Sequence, residues 1–461
     1  MRADRQQGLV RMVRRGGRPG SVCNGTTRRE LLSFGGLAAL GLAAGAATPV
    51  AAAGPRFGQA KHVLLIYLFG GASQFETWDP KPEAPAEVRG QFGAIETNVS
   101  GIRISELAPK LARCADRYAL LRSVNHADNT HDTAMYTSYT GWPFGRKGIP
   151  PPSPEDRPSH GAILTHFRPP VRAVPPLVAL GGMITNSGNE VPGQRGGLLG
   201  PRYDPFPVQP NPAASDFRVP ELVLSKEIPT LRLERRRSLL QAVDDTARLT
   251  DRTVGASGLE TYQQQALELI ASPTVRRALD IKEEPAALRD RYGRTGFGQR
   301  LLLARRLFEV GVPCVQVHWL DADQSWDYHS NNFPGHKKSM AVVDPSVAAL
   351  LEDLHDHGML DETLVVVLGE FGRTAKVNPT AGRDHWAGCY SALMAGGGIQ
   401  GGRVHGASDR TATAPQEDPV GPWDIAATIY HLMGVDPTAE YLDLQNRPLQ
   451  ASRGEVIRGL L

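Results

Sequence analysis

The chain has 461 residues, 41% hydrophobic and 21% charged, a globular composition that excludes a disordered tail protein. Its 49 Gly and 36 Pro follow no fixed period, which excludes collagen-like and repeat arrays and points to long structured loops. The formal charge of +3 hides an asymmetry: eight Arg crowd residues 1–30 against only Asp4 and Glu30, so the chain from Gly54 on is mildly acidic. That balance argues against nucleic-acid or polybasic membrane binding.

Residues 1–53 read as a targeting segment. Thr27-Arg28-Arg29-Glu30-Leu31-Leu32 is a twin-arginine pattern, residues 31–47 form a weakly apolar Gly/Ala/Leu stretch, and Ala51-Ala52-Ala53 offers small residues for cleavage. The stretch is short for a membrane anchor and gains little from lipid. Export by the twin-arginine route to the periplasm or cell surface is expected, with no membrane span in the mature chain. Cys23 leaves with the leader. Cys114, Cys314 and Cys389 remain, which allows one disulfide at most.

The remainder, residues 54–461, is expected to form a single α/β domain. Lys61–Phe69 is a continuous apolar run closed by Gly70-Gly71, the pattern of a strand buried on both faces. Helical periodicity appears around Leu107–Leu121. Residues 143–220 hold seventeen Pro and predict a loop-rich insertion without regular helix or central strand. Residues 221–310 turn helical, and Phe297–Val310 predicts a strong helix stopping at Gly311. A β-α-β unit follows. Its strands are Cys314–Trp319 and Leu364–Leu368, and its helix is capped by Asp344 with Pro345 in the first turn. Strands joined this way run parallel with a right-handed crossover. Trp423–Met433 is a last amphipathic helix. The pattern is that of a three-layer α/β/α sandwich with a mostly parallel sheet and loop-rich and helical insertions.

In such sheets ligands lie beyond the carboxyl ends of the strands. After the first strand comes Gly70-Gly71-Ala72-Ser73; without a G-x-S-x-G elbow, Ser73 reads as a turn serine. Asn125-His126-Ala127-Asp128-Asn129-Thr130-His131-Asp132-Thr133 gathers imidazoles and carboxylates at a helix start. Such a cluster can bind an anion through free amides or a metal through imidazole, or can simply cap the helix. Trp326-Asp327-Tyr328-His329 follows the next strand, and Asp and His two apart in a loop can face one ion. Gly369-Glu370-Phe371-Gly372-Arg373 follows the last, with Arg373 suited to a bidentate anion contact, and Gly382-Arg383-Asp384-His385-Trp386 comes shortly after. A site at one sheet edge and a salt-bridge network bracing the loops are both compatible with this pattern. Gly396–Gly401 matches G-x-G-x-x-G formally but opens no helix, so a dinucleotide site is not expected.

These motifs, in this order over residues 61–450, resemble the bacterial exported family called domain of unknown function 1501, which is itself similar to the sulfatase-like branch of the alkaline phosphatase superfamily. The resemblance implies an alkaline phosphatase-like fold. It places the nucleophile position at His131, beside Thr130 and Thr133, where a sulfatase would need Cys or Ser. It leaves Glu370 as the surviving strand-end carboxylate, with Phe371 in place of a His and Phe69 in place of the first-strand Asp. It matches Asp327, His329 and His385 to metal ligands. Two readings follow. One is an exported metal-dependent hydrolase of sulfate or phosphate esters, acting on a small-molecule or glycan ester. In it a divalent ion (Zn, Ca or Mg) is held by Asp327, His329, Glu370, Asp384 and His385. Thr130 or a water attacks, Arg373 holds the anion, and His131 or His126 moves protons. The other is a non-catalytic binding or assembly protein on a degenerate hydrolase fold.

Overall fold

The computed structural model describes residues 54–146, 148, 151–170, 174–219, 272–319 and 325–461. The expected leader and residues 221–271 of the expected helical segment lie outside them. The long apolar runs of the sequence become the middle of one eight-stranded sheet. Its strands are β1 (His62–Tyr67), β2 (Tyr118–Val124), β3 (Leu177–Leu180), β4 (Phe206–Val208), β5 (Cys314–His318), β6 (Thr363–Leu368), β7 (Tyr390–Ala395) and β8 (Arg403–His405). They stand in the order β8-β2-β7-β6-β1-β5-β3-β4. Every neighbouring pair is parallel except the two made by β7, which runs against both β6 and β2.

β1, β5 and β6 lie side by side, and their alternate residues feed two separate cores. Leu64, Ile66, Val315, Val317, Val365 and Val367 face one side, with helices α3 (Gly296–Glu309) and α4 (Asn332–Asp356) packed on it. Val63, Leu65, Tyr67, Leu364, Val366 and Leu368 face the other. There they meet Met135 and Tyr139 of α1 (His131–Thr140), Ile163 of α2 (His160–Phe167) and Ile425 and Ile429 of α5 (Pro422–Leu432). This is the three-layer α/β/α sandwich, and strands buried on both faces explain why the sequence shows unbroken apolar runs. No helix among the described residues is long and apolar enough to cross a membrane.

Three expectations are corrected. The Leu107–Leu121 periodicity does not make one helix. A short 3-10 helix, Leu111–Arg117, is kinked by non-helical backbone at Cys114, and the apolar run after it enters the sheet as β2. The Pro-rich stretch contains a helix and two sheet strands, α2, β3 and β4. Pro175 and Pro176 stop just short of β3, and Pro207 lies in β4, at the sheet's edge, where a missing N–H does no harm. Asp344 caps no helix of its own. α4 runs unbroken past Pro345, and the Asp344 carboxylate instead accepts the backbone N–H groups of Lys110 (3.0 Å) and Leu111 (2.8 Å) at the start of the 3-10 helix.

Three histidines lie wholly inside this fold. His160 meets Tyr430 Oη at 3.0 Å, His318 meets Tyr139 Oη at 3.1 Å, and His336 Nε2 accepts the N–H of Ser73 at 3.0 Å. Burial pushes each imidazole from 6.5 down to about 4. The unfolded chain therefore binds more protons than the folded one in that window. The contribution of these three imidazoles should be constant above pH 6.5 and fall as the pH drops from 6.5 to about 4, by up to roughly 3 kcal/mol per histidine. Urea midpoints across the window should show the fall, and His318→Asn should make it shallower.

Candidate metal centre

The candidate site sits beyond the carboxyl ends of β1, β5 and β6. The chain leaves β1 through Gly70 and Gly71, both at positive φ (110° and 73°). A Cβ on Gly70 would lie 2.5 Å from the Trp326 nitrogen, and one on Gly71 would lie 2.6 Å from the Phe371 ring. Only glycine lets the β1 exit approach the β5 and β6 exits this closely. The Gly70 N–H then donates to Glu370 Oε1 at 2.8 Å. His385 is delivered by a two-residue antiparallel ladder in which Arg373 pairs with His385.

Three imidazoles converge on one carboxylate. His131 Nε2 lies 3.2 Å from Asp327 Oδ2. His385 Nε2 and His329 Nε2 each lie 3.0 Å from Asp327 Oδ1, and 2.9 Å from each other. One ligand atom each from His131, Asp327 and His385 falls within a 4.8 Å span. The far side of every ring is tethered. His131 Nδ1 meets Glu370 Oε1 at 2.6 Å, His329 Nδ1 meets Asp384 Oδ1 at 2.8 Å, and His385 Nδ1 meets the carbonyl oxygen of Asn129 at 2.8 Å. A carbonyl or carboxylate can only accept, so each Nδ1 carries a proton, and each Nε2, which faces Asp327, would ligate an ion that displaced its own proton. This pairing of imidazole with an outer acceptor is how metal-binding histidines are oriented.

Electrostatics support the same geometry. Burial alone would raise the Asp327 carboxyl, but hydrogen bonds from His131 and His385 and the Arg373 guanidinium at 2.6 Å hold it well below the usual carboxylate range. Burial alone would lower His131, but its bonds to Asp327 and Glu370 raise it to about 9. Rings pack behind the donors: Phe371 lies 4.4 Å from His385 and 5.0 Å from His131, and Phe69 lies 5.4 Å from His131, between centroids.

The structure brings together every residue singled out as a ligand but sorts them differently. Asp327, His329 and His385 point inward, joined by His131, which the sequence had suggested as a proton carrier. Glu370 and Asp384 stand behind His131 and His329. Glu370 is fully buried, and among the described residues its Oε2 has no partner. His126 also differs. Its Nε2 meets the Glu370 carbonyl at 2.6 Å, and its Nδ1 accepts the Asp128 N–H at 3.1 Å, so both nitrogens are engaged in holding the loop. Thr130 is exposed at the N-cap of α1, with no side-chain capping bond. Ser73 is fully buried and stands away from solvent.

Arg373 is not open to a substrate anion, as its sequence setting had suggested. It is fully buried. Its Nε donates to Gly71 O (2.9 Å), its Nη1 to Arg383 O (3.0 Å), and its Nη2 to Trp326 O (3.2 Å), Gly70 O and Asp327. A second buried arginine, which sequence reasoning passed over, does the same nearby. Arg383 pairs with Glu76 at 2.9 Å and donates to the carbonyls of Thr374, Ala375 and Val88. The Gly-Arg-Asp-His run was its only signal.

The family model "protein of unknown function (DUF1501)" matches residues 60–461, and the chain belongs to that family. No protein of curated function matches it. Among solved structures it is similar to the PsFucS1 sulfatase from Pseudoalteromonas sp., at 16% identity and a TM-score of 0.39, over 88% of this chain and 72% of that one. It is also similar to the phosphonate monoester hydrolase SpPMH from Silicibacter pomeroyi, at 15% identity and a TM-score of 0.35, over 86% of this chain and 76% of that one. A third is a protein in the alkaline phosphatase superfamily from Vibrio parahaemolyticus, at 11% identity and a TM-score of 0.34, over 83% and 67%.

Arg373→Leu should leave Asp327 and four backbone carbonyls without their donor, lowering folding stability by about 3–5 kcal/mol. The urea midpoint measures this, and Arg373→Lys should recover part of it. A fully stable Arg373→Leu protein that lost only anion binding would restore the anion-holding role.

Proposed function

We propose that the protein is an exported, metal-dependent hydrolase of sulfate or phosphate esters. The observation that carries this reading is the tethering of three histidines at Nδ1 so that their Nε2 atoms meet around Asp327. The donor set fits a divalent ion. Imidazole nitrogens with one carboxylate suit a borderline ion such as zinc, whereas calcium and magnesium favour sites made of oxygen. His131, Asp327 and His385 would hold it, with His329 at its exposed side. When bound, the ion would supply Lewis-acid polarisation of an ester oxygen.

The chain's own groups supply the rest. Glu370 Oε1 and Asp384 Oδ1 keep the protons of His131 and His329 on Nδ1, so neither ring can turn away. α1 begins at the site, and among the described residues the amides of His131, Asp132 and Thr133 have no acceptor in the protein. They can bind an ester oxygen at the positive end of the helix, taking the role first given to Arg373. The Thr130 hydroxyl stands exposed beside them as the attacking group, or positions an attacking water. The twin-arginine pattern and the small residues at Ala51–Ala53 support export.

Elemental mass spectrometry of protein purified without chelator should find about one divalent ion per chain. The ion should be lost in the His385→Ala and Asp327→Ala variants. The loaded protein should hydrolyse aryl sulfates or aryl phosphates, and the turnover should disappear with the metal. Thr130→Ala should abolish turnover if the hydroxyl attacks and leave most of it if water does. Folded protein without stoichiometric metal would sink the reading, and a metal-replete protein inert to every ester would favour the binding-protein alternative. Arg28→Lys/Arg29→Lys should hold the protein in the cytoplasm.

A further inference from the structure

We infer that Gln74 is a positioning residue: its side-chain amide acts as the third strand of the short ladder that brings Arg373 and His385 to Asp327. This role deepens the metal-dependent reading of the site and rests on it for its functional meaning, whereas the contacts stand by themselves. The ladder is only two residues long, Gly372–Arg373 against His385–Trp386. A two-stranded ribbon that short does not hold its shape alone. Arg373 pairs directly with His385, so their side chains leave the same face of the ladder. Both reach Asp327 Oδ1, at 2.6 Å and 3.0 Å. A roll of the ladder about its long axis therefore moves the two contacts together.

Gln74 stops that roll. Thr374 gives its N–H across the ladder to the Asp384 carbonyl at 2.9 Å, so by strand alternation the main-chain groups of Arg373 point the other way. Gln74, buried just past the β1 exit, stands there to meet them. Its Oε1 accepts the Arg373 N–H at 2.9 Å, and its Nε2 donates to the Arg373 carbonyl at 2.9 Å. One side-chain amide thus serves both main-chain groups of one residue, as a neighbouring strand would. The second Nε2 hydrogen goes to the Ala412 carbonyl at 3.1 Å. Two carbonyls on Nε2 and an N–H on Oε1 leave the amide a single orientation. Residue 372 makes room for it, because a Cβ on Gly372 would strike Gln74 Oε1. The loop that carries Ala412 also holds the other strand of the ladder. Its Thr413 carbonyl accepts Trp386 Nε1 at 2.7 Å, and Asp409 Oδ1 closes the loop by accepting the N–H groups of Thr411 and Thr413, each at 2.9 Å.

Gln74→Met keeps the length of the side chain and removes all three bonds. The first readout needs no ion. In chelator-treated protein, hydrogen exchange measured on overlapping peptides should speed up roughly 10-fold or more across residues 372–374 and 385–386, and stay native across β1, β5 and β6. The second is cobalt affinity by chelator competition, together with the visible absorption of the cobalt protein. Gln74→Met should bind roughly 10- to 100-fold more weakly, with an altered band. Leu303→Ala, in the core beneath α3, is the control for plain destabilisation. It should lower the melting temperature and leave the ladder exchange and the cobalt band native. A Gln74→Met protein that melts lower but keeps native ladder exchange, or keeps the native cobalt band, overturns the inference. Should Gln74→Met fail to fold, Gln74→Glu is read in the same way with smaller shifts, because it keeps an acceptor for the Arg373 N–H and cannot give to both carbonyls. Failure of the native protein to bind any divalent ion sinks the proposed function instead, and ladder exchange alone then decides the role of Gln74.

Discussion

The Asp327 carboxylate is shared by four donors drawn from three parts of the fold. His131 comes from the start of α1, His329 from the exit of β5, and Arg373 and His385 from the short ladder beyond β6. A carboxylate in this half-buried position would lose hydration that no single partner could replace. Four partners replace it, and each is held by a further contact, so the loops around Asp327 are fixed as a set. Removing any one donor leaves the others misaligned, because all of them read their position from the same two oxygens.

Two buried arginines carry that order outward. Guanidinium is suited to this task because its five N–H groups are fixed in a plane and remain charged inside the protein. Arg373 gathers carbonyls from the exits of β1 and β5 and from the neighbourhood of Arg383. Arg383 gathers carbonyls from the ladder loop and from Val88, and its charge is balanced by Glu76. Loops that would otherwise expose unsatisfied carbonyls to one another are joined through donors. The sandwich therefore supplies a rigid sheet edge, and the arginines supply the rigidity that loops lack.

Much of this was legible in the chain. The runs at Lys61–Phe69, Cys314–Trp319 and Leu364–Leu368 announced strands buried on both faces, because such strands need no polar alternation. Phe297–Val310 and Trp423–Met433 announced helices because their apolar spacing is regular. Short strands such as β3 and β4 carry too few residues for a period, and the prolines around them masked them further. Asp344 and Pro345 look like a helix start, yet tertiary contacts carried α4 straight through them. In the site, composition pointed to the right segments but not to roles. The neighbours of Glu370 and Asp384 in sequence do not show that these carboxylates stand behind histidines, and nothing local shows that Arg373 faces inward. Those assignments depend on which strand exits are adjacent, and the order β6-β1-β5 is a property of the whole sheet.

On the proposed metal-dependent reading, the phenyl rings at the site bear on how many ions it would hold. Phe371 packs against both His131 and His385, and Phe69 packs against His131 on another side. An aromatic face offers no ligand to a hard or borderline cation, and it excludes water from the flank of the imidazoles. His329 and Thr130 are exposed beside the rings, so the site is open on that side. On the proposed reading, one ion beside the α1 amides, which have no acceptor among the described residues, is the arrangement that this packing favours, and those amides would take charge that develops on the bound anion.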